Sequence, residues 1–320
     1  MASSAAVDDG VESLARGPVL GLDIGGTKLA AGVVDADGHV HGFAVAPSEP
    51  ERGSDDGLTR LFELGRRALE ASGLAVDSIG IGCGGPLDSE KGVLVAPLHL
   101  TGWRDVPVVE LAERAFGVRA VLDNDATAAA AAEHRFGAGR GTQSMVYLTL
   151  STGVGGGVVL DGRVFRGSTG NGGELGHVTI DWRGRPCRGC GRRGCLEAYV
   201  SGTSIAERAE EAGLRGATAA DVADAARVGD PAAAKVWRET CEALASGITS
   251  IANLFEPELV VVGGGVSRQG EHLLGPVREL VEAKVIHAVR VVQSSLGDRV
   301  GVAGAAAVAF ERLGAAVERV

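Results

Sequence analysis

Long apolar runs are missing from this 320-residue sequence: none approaches the roughly 20 residues that a membrane-spanning helix needs. The N-terminal segment has early acidic residues and lacks the apolar centre of a secretory signal. Basic blocks are missing too, and the net charge is −10, which disfavours a nucleic-acid or anionic-membrane surface. We therefore expect a cytoplasmic protein with no nucleic-acid partner and no membrane partner.

Proline is scarce while glycine is abundant, with 10 prolines against 50 glycines. A high glycine content together with a low proline content indicates tight turns and pockets lined by backbone rather than disorder. The chain is long enough for two lobes, each with its own core. Only residues 1–18 precede the first predicted strand, and we expect them to form a flexible leader.

Cysteine is also scarce, yet three of the five cysteines fall in the string CRGCGRRGC, at Cys187, Cys190 and Cys195. Disulfides are a poor explanation in a cytoplasmic chain, where thiols stay reduced. With His177 upstream, the cluster forms a Cys₃His set, typical of a closed tetrahedral zinc site. Such a site has no position for a reacting water, so its predicted task is to hold a loop. The acidic surroundings disfavour a nucleic-acid zinc finger.

One supersecondary unit occurs twice. The first copy predicts an antiparallel meander of three strands. It consists of an apolar run at 19–24, a glycine turn at Gly25 and Gly26, a second apolar run at 29–34 and a third that ends near Val45. The string SMVYLTLSTGVGGGVVLDGRVFRGS repeats this order, with its glycine turn predicted at 153–157. Strands that alternate with helices complete an α/β pattern, so the sequence predicts two related α/β lobes with a cleft between them.

The other predicted elements follow the same alternation. Apolar spacing predicts a helix at 58–72, and VRAVLDNDATAAAAAEHRFG predicts a strand followed by an alanine-rich helix that ends at Gly137. SIGIGCGG and ELVVVGGGVS are each a short strand that runs into glycines. A closing helix is expected from about Ala303.

The two glycine turns are the first functional signal. In DIGGTK, Asp23 ends a strand and bare backbone follows it, so backbone N–H groups can approach a phosphate. STGVGGG offers a second such turn, with two hydroxyls at its start. Either turn alone could be an ordinary hairpin, but two copies favour phosphate binding. No P-loop string is present, and VVVGGGVS lacks the glycine spacing of a dinucleotide fold.

The sequence resembles the ROK family, which is named for repressors, open reading frames and kinases. Five strings carry the resemblance and occur in the order found in that family: DIGGTK, DNDA, STGVGGG, GGELGH and CGRRGCLEA. The resemblance begins near Val19 and covers nearly the whole chain. It implies the two-lobed actin-like ATPase fold of the sugar kinase, Hsp70 and actin superfamily, with an active-site cleft between the lobes. The small lobe would comprise 19–122 plus 303–320, and the large lobe, 123–302, would carry the zinc-binding loop.

The resemblance also implies roles for individual residues. Asp125 would be the general base, and as the residue before an alanine-rich helix it is also predicted to be the helix cap, where the helix N-terminus favours its ionised form. Asp23 would orient Mg²⁺ through water. The expected sugar contacts are Gly85, Asn124, Asp125, Glu174, His177 and Glu197. The expected ATP and phosphate contacts are Asp23, Gly25, Gly26, Thr27, Lys28, Thr152, Gly153, Gly155, Gly263, Gly264 and Gly265.

The implied activity is ATP- and Mg²⁺-dependent phosphorylation of a hexose at its primary hydroxyl, with glucose favoured and an N-acetylmannosamine or N-acetylglucosamine kinase as the alternative. His99 departs from the asparagine common in the family's glucokinases, and the C-x-x-C spacing is one residue longer than usual. A ROK repressor is less favoured, because 18 residues are too few for a helix-turn-helix domain. A non-catalytic sugar-binding protein is disfavoured by Asp125. A homodimer or homotetramer is expected.

Overall fold

The computed structural model describes residues 17–314. Most of the predicted leader, and the end of the predicted closing helix, therefore lie outside the described residues. No helix within the described part is long and apolar enough to cross a membrane.

The strands and helices alternate along much of the described chain. The strands are β1 Val19–Ile24, β2 Lys28–Val34, β3 Val40–Pro47, β4 Ser78–Cys83, β5 Leu87–Asp88, β6 Val93–Leu94, β7 Arg119–Asn124, β8 Met145–Leu150, β9 Val154–Leu160, β10 Arg163–Phe165, β11 Leu259–Gly263 and β12 Arg290–Gln293. The helices are α1 Ser54–Ser72, α2 Val108–Phe116, α3 Asp125–Phe136, α4 Glu197–Val200, α5 Gly202–Glu211, α6 Ala219–Arg227, α7 Pro231–Phe255, α8 Glu271–Glu282 and α9 Val300–Gly314.

Two five-stranded sheets have the same topology. The first has the order β3-β2-β1-β4-β7 and the second the order β10-β9-β8-β11-β12. In each sheet the first three strands form an antiparallel meander and the last two add in parallel. The duplicated meander predicted from the sequence is therefore confirmed, together with the parallel strands beside each copy.

The central strands are buried on both faces, which explains their nearly unbroken apolar sequences. All six residues of β1 are buried, as are all five of β11. Helices cover both sheets, as expected for parallel strands that cannot face water. The first sheet packs on α1 and α2, and the second packs on α7 and α8 through a separate apolar core.

Two helices exchange sheets. α3 follows β7 of the first sheet but packs on β8 and β9 of the second, while α9 follows β12 of the second sheet and packs on β1, β4 and β7 of the first. The two helices cross closely, because α3 is mostly alanine and α9 carries Gly304 at the crossing. A Cβ atom at Gly304 would lie 2.7 Å from the backbone of Ala128.

Several element boundaries differ from the sequence-based expectation. α1 begins at Ser54 rather than at 58, because Asp55 and Asp56 in its first turn interact favourably with the helix dipole. α9 begins at Val300 rather than near Ala303, directly after a 3₁₀ turn at Gly297–Arg299. Gly155 to Gly157 lie inside β9, so the second glycine turn is shorter than predicted.

Candidate active site

Asp125 is the first residue of α3, at the carboxyl end of β7. The helix cap is Asn124 rather than Asp125, which corrects the sequence-based expectation: Asn124 Oδ1 accepts from the N–H groups of Ala126 and Thr127 at 3.0 and 3.3 Å. Asp125 Oδ1 accepts from the Ala126 N–H at 2.8 Å. Because Asn124 fills the cap, the Asp125 carboxyl keeps an oxygen that can face a ligand.

The electrostatics of this corner come from four side chains, those of Asp125, His99, Asp23 and Lys28. Burial raises the pKa of Asp125 above its ordinary value, while the charge of His99 and backbone hydrogen bonds act in the opposite direction. Burial and the charge of Asp125 raise the pKa of Asp23 to about 7, against the lowering effect of Lys28. The two carboxyls are therefore close enough to oppose each other's ionisation, an arrangement that a cation would relieve.

The first glycine turn joins β1 to β2 next to Asp23. The N–H of Gly25 donates to Lys28 O at 2.9 Å, so Gly25 closes the turn and its N–H is not free for a phosphate. Gly26 is half-buried and Thr27 is exposed at the tip. Lys28 Nζ donates to Asp298 O at 3.5 Å, before α9.

The second glycine turn joins β8 to β9 and has a similar internal bond, from the Ser151 N–H to Gly153 O at 2.9 Å. Thr152 is exposed at its tip. Gly155 is instead a packing residue, because a Cβ there would lie 2.8 Å from Ala126 Cβ on α3. Its small size brings β9 against the helix that carries Asp125.

A cavity of about 770 Å³ opens beside the second turn. Its lining includes Ser151, Thr152, Glu207, Glu210 and Gly265. Of the three consecutive predicted contacts Gly263, Gly264 and Gly265, only Gly265 lines this cavity. Gly263 is the last residue of β11 and packs against Tyr147, while Gly264, just after the strand, has φ +86° and lies against Leu150 O.

The predicted zinc ligands come together. The side-chain ligand atoms of His177, Cys187, Cys190 and Cys195 all lie within 4.8 Å of one another. His177 Nδ1 is 3.7 Å from Cys187 Sγ, and the sulfurs of Cys190 and Cys195 are 3.5 Å apart. Nitrogen and thiolate donors at this spacing fit a tetrahedral zinc ion, including the longer C-x-x-C segment.

Glu197 connects the zinc-ligand loop to the second glycine turn. Glu197 Oε1 accepts from the Gly189 N–H at 3.2 Å and Oε2 from the Val154 N–H at 3.0 Å. A Cβ at Gly189 would also be 3.2 Å from His177 Cε1, so the predicted sugar contacts Glu197 and His177 both lie next to Gly189. Glu174 is exposed and lies three residues before His177 in the chain.

The loop after β4 approaches Asn124, the cap of α3. A Cβ at Gly85 would lie 3.9 Å from Asn124 Nδ2, the group that the cap leaves free to donate. His99 lies over the same loop, since a Cβ at Gly84 would overlap its ring and one at Gly26 would be 2.9 Å from its Cβ. His99 Nε2 is buried and has no hydrogen-bond partner among the described residues.

The model of the ROK family matches residues 19–312. This chain belongs to the ROK family. It is similar to a glucokinase of Thermotoga maritima, with 37% identity over 92% of this chain and 98% of that protein. It is also similar to an N-acetylmannosamine kinase of Citrobacter koseri, with 36% identity over 91% of this chain and 98% of that one.

Among solved structures, it is similar to a ROK family glucokinase from Streptomyces griseus in complex with glucose and AMPPNP. That match has 33% identity and a TM-score of 0.81, and it covers 92% of this chain and 100% of the other. The ROK chain thus has the two-lobed actin-like ATPase fold that the sequence motifs implied.

Some residues of this ROK site were not predicted. Gly301 of α9 lies against Asp23, and a Cβ there would overlap the carboxyl group. Glu207 and Glu210 line the 770 Å³ cavity from α5. The clustered small residues of α9 were a signal for close packing, but nothing in the local sequence indicates that the packed partner is Asp23.

Proposed function

We propose that this protein is an ATP-dependent kinase that transfers a phosphoryl group to the primary hydroxyl of a hexose, with glucose as the preferred substrate. The observation that carries the proposal is the position of Asp125 at the start of α3, where the next residue, Ala126, packs on Gly155 of β9 and the Asp125 charge acts on Asp23 beside the first glycine turn. The similarity to glucokinases over nearly the whole chain supports it.

Asp125 acts as the general base in this proposal. Its carboxylate takes the proton of the sugar's primary hydroxyl while that oxygen attacks the γ-phosphorus in line. The bond from the γ-phosphorus to the oxygen bridging the β-phosphate breaks, and ADP leaves. Burial raises its pKa, which makes it a better proton acceptor than an exposed aspartate. Asn124 Nδ2 and the backbone at Gly85 orient the sugar on one side, and Glu174, His177 and Glu197 on the other.

The phosphate groups are held by backbone and hydroxyls of the two turns, with Gly26, Thr27 and Lys28 on one side and Thr152 and Gly153 on the other. The nucleoside enters the cavity lined by Gly265. Asp23 fits a Mg²⁺ site, because its unfavourable charge repulsion with Asp125 is relieved by a cation. Mg²⁺, when bound, neutralises the β- and γ-phosphates.

The Cys₃His set fits a structural zinc ion, held by His177, Cys187, Cys190 and Cys195. Zinc, when bound, supplies a rigid cross-link within this loop. His177 uses Nδ1 for the metal, which leaves Nε2 for a sugar hydroxyl. Glu197 is held beside this loop by the N–H groups of Gly189 and of Val154 at the start of β9.

We also propose a division into a small lobe, 19–122 plus 303–320, and a large lobe, 123–302. The exchange of α3 and α9 between the sheets supports it, because each helix leads the chain from one sheet to the other. Closure of the lobes on the sugar would exclude water and limit ATP hydrolysis.

A sugar panel with ATP and Mg²⁺, read out through ADP, tests the proposed function. We expect ADP release only when a sugar is present, with the highest kcat/KM for glucose. N-acetylmannosamine kinase remains the second candidate, since His99 faces the loop at Gly84 where an asparagine is usual for the family's glucokinases. A higher kcat/KM for N-acetylmannosamine would favour that candidate, and ADP release that no sugar stimulates would reject both.

The proposed working state is a cytoplasmic homodimer or homotetramer. A reducing compartment suits the thiols, none of which forms a disulfide among the described residues. Exposed apolar side chains of the second half, including Trp182, Leu254 and Ile286, favour an interface there. Sedimentation at micromolar concentration should give a dimer or tetramer mass, and a monomer mass would contradict this state.

A further inference from the structure

Asp123 is a buried carboxylate to which the proposed chemistry gives no role. It lies on β7, two residues before Asp125, and its exposure is 0%. Its Oδ1 accepts from the N–H of Asn124 at 2.9 Å, and its Oδ2 accepts from Arg166 Nε at 2.8 Å. A buried carboxylate is costly unless a cation and hydrogen-bond donors compensate it, so Arg166 is essential to this corner.

Arg166 has a second partner on a third element. It follows β10 in the chain, and its Nη1 and Nη2 donate to the two carboxylate oxygens of Glu311 on α9, at 3.0 and 2.9 Å. The Arg166 side chain is 22% exposed, and its guanidinium remains charged at any physiological pH. One planar group therefore joins the end of β7, the segment after β10 and α9. Its fork geometry fixes the angle between them better than a point charge would.

The backbone of Arg166 also anchors the segment that leads to the proposed sugar contacts. Arg166 O accepts from the N–H of Gly172 at 2.8 Å, which closes the loop 166–172 immediately before Glu174 and His177. A Cβ at Gly172 would be 2.8 Å from Arg166 C, so the loop is tightly closed. The same residue thus holds this segment by its main chain and the strand of Asp125 by its side chain.

We propose that Arg166 is a positioning residue for the kinase reaction. Its guanidinium, held by Asp123 and Glu311, fixes the catalytic Asp125 relative to the loop that carries Glu174 and His177. Arg166 acts through these neighbours and makes no contact with substrate. The inference rests on the proposed sugar kinase function, and it adds that the two sides of the sugar site are held in register by one charged cluster.

A simpler role for Arg166 is to neutralise Asp123. The two roles are separable at Glu311, because removing Glu311 leaves the Asp123–Arg166 ion pair intact. Substitution of Arg166 by methionine is less informative, since it would strand the buried carboxylate of Asp123 and destabilise the fold. Glu311→Ala is the primary variant, and Glu311→Gln, which keeps one acceptor, is the conservative one.

If Arg166 positions the site, Glu311→Ala lowers kcat/KM for the sugar by ~10- to 100-fold, because small misplacements are costly when positioning carries catalysis. KM for ATP stays within about twofold, since the phosphate turns are not attached to this cluster. Glu311→Gln lies between wild type and the alanine variant. Glu279→Ala is the matched control, an exposed helical glutamate on α8 without a side-chain hydrogen bond among the described residues.

Melting temperatures and steady-state kinetics are measured on the same zinc-loaded preparations. Glu311→Ala with wild-type sugar kinetics overturns the positioning role, and so does an equal change of KM for ATP and for sugar. Wild-type protein that phosphorylates no sugar of the panel instead rejects the proposed function itself, before any variant is compared.

Discussion

At the residue scale, Asp125 is the group whose loss should affect the chemical step most directly. Asp125→Asn preserves the side-chain shape and the acceptor for the Ala126 N–H but cannot accept the proton of the sugar hydroxyl. We expect kcat to fall by at least ~10²-fold, the usual effect of losing a general base. Sugar binding, measured calorimetrically, should be largely kept.

The control for that variant is Asp37, an exposed aspartate of the turn between β2 and β3. Asp37→Asn should retain wild-type turnover. Near-normal turnover of Asp125→Asn would remove Asp125 from the mechanism.

The pH dependence of the reaction should report the environment of Asp125. Burial raises its pKa, and a base works only when deprotonated, so kcat should fall as the pH decreases through that raised pKa. The charge of His99 lowers the pKa of Asp125. His99→Asn removes this effect, so the acid limb of the pH profile should move to higher pH.

His39→Asn serves as its control, because that histidine is exposed on the β2–β3 turn with Asp35 as its partner. An acid limb that does not move in His99→Asn would show that no charge on His99 acts on Asp125, and one that moves to lower pH would contradict the predicted direction of this effect.

At the scale of elements, the loop with the zinc ligands should act on the sugar side of the site. Cys190→Ser removes one of four ligands, and since metal binding is coupled to local folding, the loop should lose its order. We expect loss of bound zinc, a higher KM for sugar and a kcat reduced by up to ~10²-fold. KM for ATP should remain nearly unchanged.

Arg188→Ser is the matched control in the same loop, because Arg188 is exposed and pairs with Glu207 rather than with the metal ligands. It should retain one zinc per chain by elemental analysis. Well-folded, active wild-type protein without zinc would exclude the metal altogether.

The crossing of α3 and α9 should tolerate no added atoms. Gly304→Ala places a methyl group against the backbone of Ala128, which cannot move aside as a flexible side chain would. We expect the free energy of unfolding to fall by about 1–3 kcal/mol, as in other overpacked cores. Denaturant titration measures the change.

Gly265→Ala provides the comparison for stability, since it has a helical φ of −63° and no heavy atom within 4 Å of the added Cβ. Its free energy of unfolding should stay at the wild-type value or rise slightly. If both variants lose the same stability, the close helix crossing is not the cause.

At the scale of the whole molecule, Glu133 ties α3 to the segment that enters α9. It is fully buried, and its carboxylate accepts from Ser294 Oγ at 2.5 Å, from the N–H groups of Ser295 and Leu296 at 3.0 and 3.2 Å, and from that of Ala138 at 2.8 Å. The bonds from Ser294, Ser295 and Leu296 span more than 150 residues of sequence and fix the place where the chain returns to the first sheet.

Glu133→Gln replaces one acceptor oxygen with an amide donor that faces these N–H groups. We expect a loss of about 1.5–3 kcal/mol in the free energy of unfolding, the range for hydrogen bonds to charged groups. Glu258→Gln is the control, because Glu258 is exposed and accepts from the N–H groups of Gln143 and Ser144. Equal losses in the two variants would contradict the importance of burial here.

The repeated meanders, the order of strands and helices, the Cys₃His set and the acidic corner at Asp125 could all be predicted from the amino-acid sequence. These features depend on short-range patterns: apolar periodicity, glycine at turns, and ligand residues a few positions apart. Such patterns specify local structure because neighbouring side chains and backbone groups interact whatever the rest of the chain does. The cap at Asn124 was misassigned by one residue, since both neighbours can cap a helix.

The contacts between distant residues could not be predicted from the sequence, because they depend on how the elements pack. The exchange of α3 and α9 between the sheets brings Gly301 against Asp23, Arg166 between Asp123 and Glu311, and Gly155 against Ala126. It also raises the pKa of Asp23 to about 7, because burial and a second carboxyl act together there. These residues are tens to hundreds of positions apart, and their contacts and desolvation exist only once the two sheets have packed on the crossed helices.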